Sequence, residues 1–578
     1  MKLAAVALDY DGTIAVDGQM NPQVREAIGS LRLHGVAVVL ATGRRVPDQK
    51  EVAGSLDGFN AIVAENGAVL YFPESDRYSI LGRPPPPSFV ERLRDLDVPF
   101  SVGESVVETD AVHAVSVLEL IRALELPLML AFNRGRLMVL PPGIAKSVGL
   151  ARALATLRLS VHNTIGIGDA ENDHDLLDAC EVGVAVEWGS PALRAAADEI
   201  IPGRGPSAVA PYLRRLTQQL RLSSRQMGRR RLQLGHLHDG RPVEMAVRGR
   251  TVIIAGEPGS GKSWLAGLHC EQLILQGYCL CVIDPEGDYR SLEALPGVVV
   301  MGGDNPPPSA RELAQVLRYP DISIVIDLSR LSHQEKDEYL RELLPTLNAM
   351  RRQGGLPHKI LLDEAHYYLA PPYGRRMIDT ELAGYILVTY RVSGIDEEVR
   401  NAPDTVVMIT RETDEHEQEV LRGMCAACAE VPDQVFRDLG LLEAALLPGA
   451  EESQGRVQRF EIGPRLTSHV RHRAKYLDMP VAEPKAFLFS RNGRPGPSAR
   501  SLKDFVDLLS QLPDSELAPY LQRHDFSRWL GQVFRDYPLA THVRTLESRL
   551  GLDKTRDLID DITQAVRARY ELTAPLAL

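Results

Sequence analysis

The sequence predicts a multidomain α/β protein built on parallel sheets, with a small α-helical domain at its C-terminal end. Three observations carry this. Leu3 to Leu8 is an unbroken apolar run leading into Asp9-Tyr10-Asp11, the pattern of a buried parallel strand that delivers carboxylates to its C-terminal end. Thr251-Val252-Ile253-Ile254-Ala255 is a second such run, and it passes through a glycine-rich turn into the helix-like Trp264, Leu265, Ala266 and Leu268. From about residue 485 the apolar residues fall at helical spacing.

Composition sets the outer limits. At 578 residues the chain is long for one core, and its length suggests about three or four domains. Lys+Arg total 65 against 77 for Asp+Glu, a net charge of −12. That balance argues against a protein coated by nucleic acid, while a local basic groove stays open. Six cysteines suit a reducing cytosol better than a disulfide framework. No apolar run approaches membrane-span length, and Asp9 interrupts the apolar start too early for a signal peptide. The expectation is a soluble cytoplasmic protein with no membrane partner.

The first strand ends in two carboxylates two positions apart, Asp9 and Asp11. Such a pair is costly unless it meets a cation, which points to Mg²⁺ and a phosphate. A second strand, Val36 to Leu40, runs into Ala41-Thr42-Gly43-Arg44, where a hydroxyl and open backbone can hold phosphate oxygens. A third, Thr164 to Ile167, ends at Gly168-Asp169-Ala170-Glu171-Asn172-Asp173.

With Glu65-Asn66-Gly67-Ala68, Lys146, Val184-Ala185-Val186 and Ala197-Asp198-Glu199-Ile200, these stretches resemble the haloacid dehalogenase (HAD) superfamily, and within it the Cof-type phosphatases, over residues 1–210. The resemblance implies a Rossmann-like domain and a set of roles. Asp9 would attack phosphorus and form an aspartyl-phosphate. Asp11 would protonate the leaving alcohol and then activate water. Thr42 and Lys146 would hold the phosphoryl oxygens. Mg²⁺ would be bound by Asp9, the backbone carbonyl of Asp11 and Asp169, with Asn172 and Asp173 orienting that shell. Glu171 and His174 read as a solvated helix face. A small α/β cap, expected at about 71–136, would select a small phosphorylated substrate, by analogy a sugar phosphate or a phosphoglycolate-like compound.

Pro202-Gly203-Arg204-Gly205-Pro206 marks a break. Residues 211–235 then read as a basic linker carrying Arg214, Arg215, Arg221, Arg225 and the run Arg229-Arg230-Arg231. A solvated face is the expectation, with a phosphate or nucleic-acid contact as the alternative. Deleting the run is expected to leave phosphatase activity intact.

The turn after Ala255 reads Gly256-Glu257-Pro258-Gly259-Ser260-Gly261-Lys262-Ser263. Glycines let backbone N–H groups close around phosphates, and the helix N-terminus favours negative charge. Lys262 would reach the β- and γ-phosphates of ATP, and Ser263 would hold Mg²⁺. Further on, Lys359 to Leu362 leads into Asp363-Glu364-Ala365-His366. Asp363 would bind Mg²⁺ through water, and Glu364 would polarise the attacking water. Tyr385 to Val388 ends at Thr389, placed to sense the γ-phosphate. With Asp284-Pro285-Glu286-Gly287-Asp288-Tyr289, these features resemble the HerA/FtsK-type ATPases over residues 236–470. The resemblance implies a P-loop α/β domain, ATP hydrolysis, a homo-oligomer (commonly a hexamer) and an arginine supplied by a neighbour, with Arg391, Arg400 and Arg411 as candidates. Two features depart from it. Tyr390 stands where relatives often carry Gln, and a phosphatase replaces the β-barrel that commonly precedes the ATPase. Both weaken a DNA-translocating role.

Cys425 and Cys428 form a lone CxxC, read as a helical turn because no second pair completes a zinc site. Residues 485–578 read as a helical domain, with Ser501 and Asp504 as a capping box and Trp529, Leu530, Val533 and Phe534 on one face. His524 reads as a cap or core residue. The whole is read as a bifunctional phosphatase and ATPase. Its rivals are a nucleic-acid end-processing protein and an ATP-driven assembly switch that gates the phosphatase. A kinase arrangement is disfavoured, since a water-activating Glu364 is unwanted when the acceptor is an alcohol.

Overall fold

A computed structural model describes residues 1–570 apart from 134, 223–228, 403–404, 425–432, 448–455, 469–480, 482, 492–493, 535–536 and 552–553. Arg225, Cys425 and Cys428 lie outside the described residues. The chain divides into two compact units. One is Met1–Pro285 with Leu292–Thr467, and the other is Glu286–Ser291 with Ser468–Leu578.

The first unit holds two large sheets. One has eight strands in the order Glu199–Ile201, Val182–Val186, Thr164–Gly168, Ala5–Asp9, Ala37–Ala41, Ala61–Ala64, Val69–Phe72 and Arg77–Ile80. The first six are parallel, and the last two return antiparallel. Every residue of Ala5–Asp9 is buried, as a strand with neighbours on both edges and helices on both faces requires. The three carboxylate- and hydroxyl-bearing loops therefore leave the same end of one sheet.

The cap is a four-stranded antiparallel sheet, Met129–Asn133, Arg136–Leu140, Val107–Asp110 and Phe100–Val102. Helices Pro87–Asp95 and Ala114–Ala123 pack on it through Phe89, Leu93, Val117, Leu137 and Val139. This corrects the cap boundary at 71. Tyr71 lies in a strand of the main sheet, and residues 69–80 form its antiparallel edge. Arg77–Ile80 is exposed throughout, so this edge hairpin lacked the apolar run that marked the other strands.

The second sheet has seven parallel strands in the order Thr405–Ile409, Thr251–Ala255, Tyr385–Thr389, Lys359–Leu362, Leu280–Asp284, Ser323–Asp327 and Val298–Gly302. Four antiparallel strands extend it: Glu443–Leu446, Gln458–Ile462, Arg231–Leu237 and Pro242–Ala246.

The joint departs from the linker expected at 211–235. Helix Val209–Gln218 packs on Pro22–Leu33 and belongs to the lobe of the first sheet, while Arg231 already begins a strand of the second sheet. The basic run is neither a solvated face nor an open anion site. Arg229 donates to Leu177 O at 2.6 Å and pairs with Asp198 at 3.1 Å, and Arg230 donates to Ala179 O at 2.8 Å. The two guanidiniums satisfy the last carbonyls of helix His174–Ala179, where cations are favoured. Deleting the run is therefore expected to destabilise the lobe of the first sheet, against the expectation above.

Where the two sheets meet, Tyr278 stacks on His162 at 3.8 Å and donates to Glu181 Oε2 at 2.7 Å. His358 Nδ1 accepts the Cys279 N–H at 2.7 Å, so this ring is neutral. Burial holds His358 well below the ordinary histidine range, with the neighbouring His162, Lys359 and Arg351 adding to the effect. Burial likewise lowers His269 from 6.5 to about 4. A histidine with a depressed folded-state pKa contributes its full stability above about 6.5 and loses it as pH falls toward 4. His269 alone accounts for roughly 3 kcal/mol of that loss. Urea midpoints measured between pH 7.5 and 4 are expected to fall steeply below 6.5, and less steeply in His269→Leu.

The second unit, among the described residues, is a hairpin, Phe487–Arg491 and Arg494–Ala499, followed by five helices: Leu502–Gln511, Asp514–Gln522, Asp525–Val533, Tyr537–Glu547 and Thr555–Tyr570. Phe487, Phe489, Phe505, Tyr520, Phe526 and Trp529 build its core. Ser501 and Asp504 form the expected capping box, and His524 stands at the N-cap of Asp525–Val533. No helix among the described residues is long and apolar enough to cross a membrane.

Candidate active sites

At the C-terminal end of the first sheet, Asp9, Asp169 and Asp173 bring carboxylate oxygens within 4.8 Å of one another, all buried. Lys146, the first residue of helix Lys146–Thr156, reaches in from below. Its Nζ donates to Asp9 Oδ1 at 2.6 Å and to Asp173 Oδ1 at 2.7 Å. The Thr13 hydroxyl lies 3.1 Å from Asp9 Oδ2 and 3.2 Å from Asp169 Oδ1. Asp173 Oδ2 accepts the N–H groups of Asp169 and Ala170, both at 3.0 Å. Asp173 is thus committed to Lys146 and to the loop backbone, and it orients rather than offers a free face.

The electrostatics follow from burial. It pushes the Asp9 acid upward, the Asp173 and Asp169 carboxylates push the same way, and Lys146 opposes them. Burial alone would lower Lys146, but Asp173 and Asp9 raise it above its ordinary value. Three carboxyl groups converge on a single ammonium in this buried site. An all-oxygen donor set of this kind fits a divalent hard cation such as Mg²⁺.

Asp11 stands apart from this cluster. Its carboxylate is held by both Arg44 nitrogens, Nε at 2.7 Å and NH2 at 2.8 Å. Thr42 is buried one residue past the Asp9–Ala41 pair, and its hydroxyl accepts the Arg44 N–H at 3.1 Å. The Asn172 side chain turns to Asn66 Oδ1 at 3.3 Å. The Trp188 indole donates to Gly12 O at 2.7 Å and braces the loop after Asp9.

Two close approaches hold this geometry. Gly67 has φ +106°, and a Cβ there would come within 2.0 Å of Ala145 O, so only glycine lets the chain carrying Lys146 sit this deep. Glu65 clasps the cap, its carboxylate accepting the N–H groups of Glu104 and Ser105, both at 2.9 Å. Glu65→Ala is expected to remove about 2 kcal/mol of local protection. Faster amide exchange at 104–105, with the rest of the lobe unchanged, is the readout.

In the second sheet, the glycine-rich turn leaves Thr251–Ala255 with Gly256, Gly259 and Gly261 all at positive φ. A Cβ on Gly256 would meet the Thr410 hydroxyl at 2.2 Å. The Glu257 carboxylate is held by Arg411 Nε at 2.5 Å and the Thr413 hydroxyl at 2.7 Å. Pro258 follows it in the turn. The Ser260 hydroxyl donates to Glu257 O at 2.6 Å, and Lys262 Nζ donates to the same oxygen at 2.9 Å. Lys262 and Ser263 open helix Lys262–Leu275. Strand register does the rest. Ala255 pairs with Thr389, and Leu362 pairs with Leu387. Thr389 therefore lies between the turn and the buried Asp363 and Glu364, with Asp363 Oδ1 accepting the Glu364 N–H at 2.9 Å. Of the three arginines considered for a neighbour's site, Arg411 is engaged within its own turn and Arg400 donates to Ile395 O at 2.9 Å. Arg391 is exposed.

Sequence reasoning missed the pairing of Arg44 with Asp11, the Thr13 bridge, Thr410 beside the turn, and the contact of Arg411, considered only for a neighbour's site, with Glu257 of its own chain. Arg44 stood inside a quoted motif and Thr13 just beyond another, but their partners come from the fold. Thr410 carried no local signal.

Both lobes match known families. The haloacid dehalogenase-like hydrolase family matches residues 6–97 and 122–213. The gap falls within the cap. The HerA helicase central domain matches residues 232–361. A phosphoglycolate phosphatase of Haloarcula marismortui is 30% identical over 224 residues, 36% of this chain and 95% of that protein. Those of Methanothermobacter thermautotrophicus (26% over 223 residues, 37% and 98%) and Saccharolobus solfataricus (28% over 201 residues, 33% and 83%) align similarly. The chain therefore belongs to the haloacid dehalogenase-like hydrolases through its N-terminal part, a phosphatase lobe that continues into a HerA-type central domain.

Proposed function

We propose that the chain is a bifunctional enzyme, a Mg²⁺-dependent phosphatase of small phosphate monoesters joined to an ATP-hydrolysing HerA-type domain. The observation that carries the first half is the buried Asp9–Lys146–Asp173 chain with Asp169 beside it. Asp9 attacks phosphorus, and the P–O bond to the substrate alcohol breaks as an aspartyl-phosphate forms. Asp11 gives the departing alkoxide its proton, then takes one from the water that hydrolyses the intermediate. Arg44 fixes where that carboxylate stands. Lys146 and Thr42 bear the phosphoryl charge. Asp9, Asp169 and the Asp11 carbonyl would hold Mg²⁺, which would supply charge neutralisation at the phosphoryl oxygens. The relatives named phosphoglycolate phosphatases favour a small phosphorylated acid as substrate, with sugar phosphates the next class.

In the second half, the backbone from Gly256 to Ser263 receives the ATP phosphates and Lys262 turns from Glu257 O to the β/γ oxygens. Ser263 directly and Asp363 through water would hold Mg²⁺, while Glu364 would orient the attacking water and Thr389 would read the γ-phosphate. Arg391 is the side chain available to a neighbouring copy in a homo-oligomer. The net charge of −12 gives DNA no support as a partner. The phosphatase is tested with an aryl phosphate, phosphoglycolate and sugar phosphates, each with Mg²⁺ and with EDTA. ATP hydrolysis is followed with and without DNA. Turnover of a phosphate ester that EDTA abolishes, and ATPase activity indifferent to DNA, are expected. Metal-independent phosphatase activity, or ATP hydrolysis only on DNA, would overturn the corresponding half.

A further inference from the structure

Among the buried side chains of the ATPase motifs to which no role has been given is His366, three positions after Asp363. It is 6% exposed and lies at the meeting point of Glu364 and Thr389. Its Nδ1 is 3.0 Å from the Thr389 hydroxyl and 3.7 Å from Glu364 Oε2. The Thr389 oxygen already accepts the Arg391 N–H at 2.9 Å. We assign the hydroxyl proton to this contact, with Nδ1 as the acceptor and the ring's own proton on Nε2. The ring plane is set from both sides. Tyr367 lies at 4.1 Å and Tyr390 at 4.3 Å, and their hydroxyls stand 3.3 Å apart. Behind it, a Cβ on Gly394 would approach His366 Cβ to 3.1 Å, so the backbone is packed close against the histidine.

Glu364 itself sits at φ +50°, a left-handed conformation that a glutamate adopts only when its surroundings hold it there. The His366 ring lies 3.7 Å from its carboxylate, and the Glu364 N–H is taken by Asp363 Oδ1 at 2.9 Å. We infer that His366 is a positioning residue of the ATPase site: it orders the Thr389 hydroxyl and sets the wall against which the Glu364 carboxylate rests. Tyr390 acts as its brace. The inference rests on the reading of this lobe as an ATPase and adds to it the link between the water-orienting and γ-phosphate-reading residues. It also gives Tyr390 a function of its own, packing on the imidazole.

Steady-state ATP hydrolysis and fluorescent ATP-analogue binding, measured on the full chain, test it. His366→Leu fills the volume without an acceptor. It is expected to fold and bind nucleotide within about twofold of wild type while kcat falls at least about 30-fold. His366→Asn places an amide oxygen near the Nδ1 position and is expected to recover most of that loss. His366→Gln, whose oxygen falls near Nε2, is not. Thr389→Val is expected to cost no more when combined with His366→Leu than either costs alone. A His366→Leu protein with wild-type kcat would overturn the inference and leave the ATPase reading standing. A wild-type protein that binds ATP without hydrolysing it would overturn both.

Discussion

Asp9→Asn is expected to lower phosphatase turnover by about 10³-fold or more, since no other carboxylate can take its place in line with the leaving group. Asp11 is the only nearby alternative in sequence, and Arg44 holds it away with two hydrogen bonds. Asp169 and Asp173 are occupied with Thr13, Lys146 and the loop N–H groups. The substitution keeps the side-chain shape and removes one of three crowded carboxylates. Because like charges and burial both disfavour the ionised Asp9, thermal stability is expected to hold or rise. A trapped phosphoryl adduct found at position 9 by mass spectrometry in the wild type, and absent from the variant, identifies the nucleophile.

Lys146→Met is expected to have the opposite effect on stability. It leaves Asp9 and Asp173 buried without their shared ammonium, and removing one partner of a buried ion pair typically costs about 3–5 kcal/mol. Activity falls as well, but the diagnostic is the double variant. Asp9→Asn with Lys146→Met is expected to recover a large part of the lost stability, because it removes a charge that Lys146 had balanced. Equal melting temperatures for the single and double variants would show that Lys146 does not act through Asp9.

Much of this was legible in the sequence because strand ends declare themselves. An apolar run closing on Asp9, on Thr42, on Asp169 or on Gly256 tells where the chain emerges from a sheet, and parallel topology brings such ends together. The capping box at Ser501 and Asp504 is local in the same way. What was hidden depends on partners far along the chain. Arg229 and Arg230 looked like linker charges because the carbonyls they satisfy lie about fifty residues earlier. The 69–80 hairpin looked like cap because an edge strand is half exposed wherever it occurs. Strands Arg231–Leu237 and Gln458–Ile462 are antiparallel and pair across more than two hundred residues, so no local pattern announced them. His366 stood in plain view beside Glu364, but its contact with Thr389 is set by the register of two strands.

The claim on which the account turns is that one chain carries two phosphoryl sites that work independently in chemistry. The direct measurement is hydrolysis of an aryl phosphate and of ATP by the wild type, Asp9→Asn and Lys262→Ala, side by side under the same Mg²⁺ concentration. The account predicts a crossed pattern: Asp9→Asn loses only the ester activity, and Lys262→Ala loses only the ATPase. Loss of both activities from either single substitution would contradict it.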